Sequence, residues 1–139
     1  MKLHQCAFVF LALFSPLLKA EIAVIVNPSM DISTISQEDI QRLFLAKTTR
    51  FENGTVAKPV NQNEGNAIRD EFITKVLDKS EGQYRAYWSR LIFTGKGRPP
   101  KDEGGDAEIK KIVAKEANSI GYINALSVDD SVKVIYTVK

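Results

Sequence analysis

Residues 22–26 read IAVIV, a run without a single polar side chain. A strand shows its side chains alternately to two faces, so an unbroken apolar, largely β-branched run needs cover on both. That requirement selects a layered domain with a central strand between helices. Asn27-Pro28-Ser29 ends the run. Strand and helix patterns then alternate along the chain, with no internal repeat and no low-complexity segment.

Ser36 is placed to cap a first helix, with Asp39 in reach of a capping box and Ile35 and Ile40 placed as a hydrophobic staple. Ile40, Leu43 and Phe44 form its apolar stripe. Phe51-Glu52-Asn53-Gly54 reads as a turn, and residues 55–60 as a short strand that stops at Pro59. A second helix is expected to start near Gly65-Asn66, with Ile68, Phe72, Val76 and Leu77 on one face. Ser80 and Gln83 offer a second capping box. Tyr84, Tyr87, Trp88 and Leu91 follow at helical spacing, and this stripe is read as core. Residues 95–105 (GKGRPPKDEGG) read as a loop. Asp106 is expected to cap a fourth helix that buries Ile109, Ile112 and Val113. Residues 119–123 and 132–138 read as closing strands.

The N-terminus specifies a destination. Lys2 precedes the apolar stretch 6–18, which is shorter than the roughly 20 residues of a membrane span. Lys19-Ala20 closes it with a small residue. This order of charge, short apolar run and small residue reads as a signal peptide over residues 1–20, followed by one domain over 21–139 in the periplasm or secreted medium. Mass spectrometry of the exported protein is expected to find its start within a residue or two of Glu21; a retained Met1 would contradict that.

Cleavage changes the charge balance. Residues 1–20 hold two of the 19 basic residues and none of the 17 acidic ones, so the mature chain carries 17 of each. General attraction to nucleic acid or to membranes has no support in that balance, and no membrane anchor is expected after cleavage. His4 and Cys6, the chain's one histidine and one cysteine, leave with the signal. The mature domain then has no disulfide, no Ser-His-Asp or Cys-His catalytic set, and none of the ligands that most zinc and copper sites use. With no Walker loop or dinucleotide fingerprint either, the expectation is a protein that is not an enzyme, with neither cofactor nor metal. Asp102, Glu103, Asp106 and Glu108 lack the spacing of a calcium loop.

Anion binding is the chemistry that remains. A helix start presents unpaired N–H groups, and Arg can hold an oxyanion through two parallel hydrogen bonds. Asn66 and Arg69 occupy such a start. Asn27 and Ser29, at a strand end, are outer candidates. Arg85, Arg90, Lys96, Arg98 and Lys101 form a basic stretch able to face an acidic partner.

The order of several segments resembles the phosphate-type substrate-binding proteins of ABC transporters, a type II periplasmic-binding-protein family. The segments are Val24-Ile25-Val26-Asn27, the helix within 32–47, Phe51-Glu52-Asn53-Gly54, Arg69-Asp70-Glu71-Phe72, Tyr87-Trp88, Phe93-Thr94-Gly95-Lys96-Gly97 with Pro99-Pro100, and Ile120-Gly121-Tyr122. The resemblance implies a single lobe of that fold, with a mixed, mainly parallel sheet and helices on both faces. It also implies phosphate or a related oxyanion as ligand and an ABC permease as partner. Two features set the chain apart: it has length for one lobe only, and Asn63-Glu64-Gly65-Asn66-Ala67 stands where the family has a Ser-Gly-Thr turn. The alternative is a periplasmic interaction or regulatory module that kept the fold without the ligand, its surface the loop 94–101.

Overall fold

The computed structural model describes residues 20–138; the expected signal segment lies almost wholly outside them. The order is β1 (Ile22–Val26), α1 (Gln37–Phe44), β2 (Lys58–Asn61), α2 (Ala67–Glu71), α3 (Glu81–Phe93), β3 (Lys101–Asp102), α4 (Asp106–Lys115), β4 (Ser119–Asn124) and β5 (Lys133–Val138). A π-helical turn, Phe72–Val76, continues α2, and a short 3₁₀ turn, Ala125–Ser127, follows β4. The strands form one sheet in the order β3-β2-β4-β1-β5. It is mixed: β2 runs parallel to β3 and β4, and β1 runs antiparallel to β4 and β5. The long ladders are the antiparallel ones.

Both faces are covered. Ile22, Val24 and Val26 of β1 pack with Ile40, Leu43 and Phe44 of α1, with Phe72 and Val76 of the π turn, and with Tyr84 and Trp88 of α3. The intervening Ala23 and Ile25 join Ile109 and Val113 of α4 on the other side. The unbroken apolar run is thus explained residue by residue. On the first face the Phe72 ring stacks on Tyr122 of β4, centroids 3.8 Å apart, and Phe44 meets Phe72 edge-on at 4.9 Å. The second face is tighter. A Cβ on Gly121 would lie 2.6 Å from Ile109 Cγ2 and 3.1 Å from Val60 Cγ2. Gly121→Ala is therefore expected to cost about 1–3 kcal/mol in chemical denaturation, because a γ-methyl beside the backbone has little room to move. A loss under about 0.5 kcal/mol would contradict this packing.

Local caps follow the chain's chemistry with some corrections. Ser80 and Gln83 form a complete capping box on α3. On α1, Ser36 Oγ accepts from Asp39 N, but the Asp39 carboxylate turns to Arg42 rather than back to the cap. Asp106 does not cap α4: Gly105 holds the cap position, Glu108 reaches back to the Gly105 N–H, and Asp106 is spent elsewhere. Pro59 does not end β2 but sits inside it. Lys58 N–H bonds Asn118 on the β4 side, so alternation turns the Pro59 nitrogen toward β3, whose pairing begins only at Val60. No N–H is missed there. The loop 95–105 contains β3, so it is pinned to the sheet at Lys101 and Asp102.

Candidate functional site

Because β2 and β4 are parallel, their C-terminal ends lie at one edge of the sheet, where α2 and α4 begin. The polar pair Asn61-Gln62 ends β2 there and is buried, at 2% and 1% exposure. Burial without partners would be costly, so these amides organise their surroundings. Asn61 Nδ2 donates to Tyr84 Oη at 3.0 Å, and Tyr122 Oη donates to Asn61 Oδ1. Gln62 N–H donates to Tyr122 Oη; Gln62 Nε2 donates to Asp106 Oδ1 at 2.7 Å and to Tyr122 O. Asp106 also accepts from Ser127 Oγ and the Asn124 N–H, tying α4 to the end of β4. Burial pushes both tyrosine hydroxyls upward, Tyr122 far above the ordinary phenol range, so both stay protonated, Tyr122 as the donor to Asn61 and Tyr84 as the acceptor from it. Tyr122→Phe strands Asn61 Oδ1 and the Gln62 N–H; a loss of about 1–3 kcal/mol in urea is expected. A neutral result would remove the hydroxyl from the network.

The network carries the candidate ligands. Gly65 turns the chain at φ +92° into Asn66, the cap residue of α2. The Asn66 amide does not close that helix end. It donates to Gln62 Oε1 and Gly104 O, both at 3.3 Å. The N–H groups of Ala67, Ile68 and Arg69 have no acceptor among the described residues. Arg69 folds back over the turn with its side chain only 12% exposed. Its Nη1 donates to Gln62 O and to Asp102 Oδ1, each at 2.8 Å, and its guanidinium lies 5.7 Å from the centre of the Tyr84 ring. Nη2 and Nε meet no acceptor among the described residues. Burial works against the Arg69 charge, but Asp102 outweighs it, and the group is held more firmly protonated than usual. Arg69 and Asp102 line an open cavity of about 280 Å³ with Glu64, Tyr84, Arg85 and Trp88.

Asn27 and Ser29 lie elsewhere. Asn27 Nδ2 donates to Val113 O and Ala114 O at 3.0 Å, closing the C-terminal end of α4, and Asn27 Oδ1 accepts from the N–H and hydroxyl of Ser29. Asn66 touches Gly104, just ahead of the other end of α4. Ten residues of helix separate the two places, about 15 Å at the usual rise. The cause is strand direction. In a parallel sheet, the end of β1 would lie beside that of β2; β1 is antiparallel to β4, so Asn27 exits at the opposite edge. Asn66 and Arg69 are brought together; Asn27 and Ser29 form a structural clamp.

The sequence reading passed over Gln62, which holds Asn66 and Arg69, over Asp106, which holds Gln62, and over Asp102 as the partner of Arg69. A polar Asn-Gln pair straight after buried Val60 was the available signal.

No protein-family model matches the sequence. Solved structures do match the fold. A candidate phosphate ABC-transporter substrate-binding protein from Clostridium perfringens, with bound phosphate, superposes with a TM-score of 0.62 at 24% identity over 84% of this chain. An ABC-type phosphate transport receptor from Vibrio cholerae gives 0.57 at 18% identity, and PstS from Borrelia burgdorferi 0.61 at 12%, over the same share. The chain thus has the fold of one lobe of the type II periplasmic-binding-protein type. The chain spans only 45–47% of the length of those three structures. Within this lobe the candidate site sits where two parallel strands end and two helices begin, the customary ligand position of open α/β sheets. Among the described residues no group of acidic, His or Cys side chains is arranged to hold a metal ion, and no helix is long and apolar enough to cross a membrane.

Proposed function

We propose that this is an exported oxyanion-binding protein, with phosphate as its first ligand and an ABC permease as its partner. The observation that carries the reading is the set of unpaired donors near the start of α2: among the described residues, neither Nη2 and Nε of a largely enclosed Arg69 nor the first-turn N–H groups meet an acceptor. The phosphate bound to the matching Clostridium protein supports the choice of ligand. Asn66 shapes the turn through Gln62 and Gly104 and leaves the helix end open. Asn27 and Ser29 have no part in it.

Asp102 and Glu64 oppose an anion, so affinity should be moderate. Glu64→Gln removes one repelling charge and is expected to tighten binding about two- to fivefold, a gain within reach of one exposed charge. Calorimetric titration of the exported protein with phosphate tests the reading. Saturable heat supports it; silence at about millimolar phosphate, a free energy near −4 kcal/mol, refutes it.

A second reading has its own support. The ion pair between Arg69 and Asp102 already satisfies one arm of the guanidinium. A lobe that kept its fold as an interaction module would look the same at this turn.

A further inference from the structure

Charge in this lobe is balanced overall but not evenly placed. Residues 82–101 contain Arg85, Arg90, Lys96, Arg98 and Lys101 and no acidic residue. All five side chains are exposed. Among the described residues Arg90, Lys96 and Arg98 form no ion pair, while Arg85 and Lys101 make only long ones, to Glu81 at 3.8 Å and Glu103 at 3.5 Å. In the middle of this stretch α3 ends on Ile92 and Phe93, which are 55% and 93% exposed. Phe93 is not on a free loop. Trp88, one turn earlier, anchors the helix in the core. Thr94 Oγ1 bonds Arg90 O, and Lys96 N–H bonds Leu91 O across Gly95 at φ +69°, so the helix end is closed and stiff.

We infer that this end of α3 docks on an anionic lipid surface, with Phe93 inserted at the interface and Lys96, Arg98 and Arg90 over the headgroups. A protein interface of ordinary kind offers a contiguous apolar core within a polar rim. Here Phe93 protrudes alone, next to Thr94 and Gly95 and among unpaired cations, while the half-exposed Ile92 lines the cavity beside Arg69. That combination suits a charged, fluid interface, where an aromatic ring enters the headgroup boundary and each nearby cation adds attraction. The inference goes beyond oxyanion binding and stands whether or not the Arg69 turn takes phosphate.

Co-sedimentation of the exported protein, its start at Glu21 checked by mass, with phosphatidylcholine vesicles containing or lacking phosphatidylglycerol is the test. Binding should require phosphatidylglycerol and fall with added salt. Lys96→Glu with Arg98→Glu should weaken it by on the order of 25-fold or more, at about fivefold for each cation lost. Phe93→Ser, at a position outside the core, should weaken it about tenfold with an unchanged melting temperature. Three results would overturn the inference: equal binding to neutral vesicles, no binding to either, or binding that Phe93→Ser leaves untouched. Retention on immobilised polyglutamate without retention on lipid would do so too, and would assign the face to an acidic protein.

Discussion

Trp88→Ala is expected to cost about 3–5 kcal/mol in chemical denaturation, enough to remove most of the stability of a marginal lobe. The indole is 4% exposed and sits edge-on to two rings, Tyr84 at 6.2 Å and Tyr87 at 5.1 Å. It also supports the returning loop: a Cβ on Gly97 would come within 3.9 Å of the Trp88 ring. Alanine would leave a cavity lined by groups that the sheet and π turn hold in place. Trp88→Phe separates volume from hydrogen bonding. The Trp88 Nε1–H is buried with no acceptor among the described residues, so phenylalanine forfeits no bond and should recover most of the loss. A cost below about 1 kcal/mol for alanine would mean that the residue is not core.

Arg69→Ala is expected to weaken phosphate binding tenfold or more, since a charge-assisted contact contributes about 1.5–3 kcal/mol. Arg90→Ala and Lys96→Ala, which lie outside the site, should change it far less. Some stability should go as well, because Gln62 O and Asp102 Oδ1 lose their shared donor. Asp102→Asn distinguishes the two consequences. It keeps a hydrogen-bond acceptor for Arg69 but removes the competing charge, so phosphate affinity should rise while folding is little affected. If Arg69→Ala and Arg90→Ala weaken phosphate equally, the attraction is diffuse and the site assignment fails.

The contrast between what could and could not be read from the chain has a physical basis. Residues 22–26 announced a strand buried on both faces because period and polarity are local properties. Ser80 with Gln83 and the Tyr84–Trp88–Leu91 stripe were legible for the same reason. Strand direction is not local. Nothing in IAVIV says whether its neighbour runs with it or against it, and that one bit sends Asn27 to the clamp on α4 instead of to the end of the sheet that carries the candidate site. Asp106 has the chemistry of a cap, but a buried glutamine and a serine from distant segments compete for its carboxylate and win. Periodicity placed Phe72, Val76 and Leu77 on one face, yet the backbone takes a π turn there, with Leu77 N–H bonded to Phe72 O. That widened turn also buries Ile73. Arg69 was legible as a cation at a helix start, whereas its partner Asp102 lies across the fold in what reads as a plain loop.

The proposed oxyanion site is open to direct observation. Amide NMR spectra of the exported protein, recorded as phosphate is added, should show saturable shifts concentrated at Gly65, Asn66, Ala67, Ile68 and Arg69, with the Asn66 side-chain amide moving through its contact with Gly104. Resonances of Asn27, Ser29 and the end of α4 should stay in place. Shifts that track the basic residues 94–101, or no saturable shift at all, would contradict an oxyanion site at the start of α2.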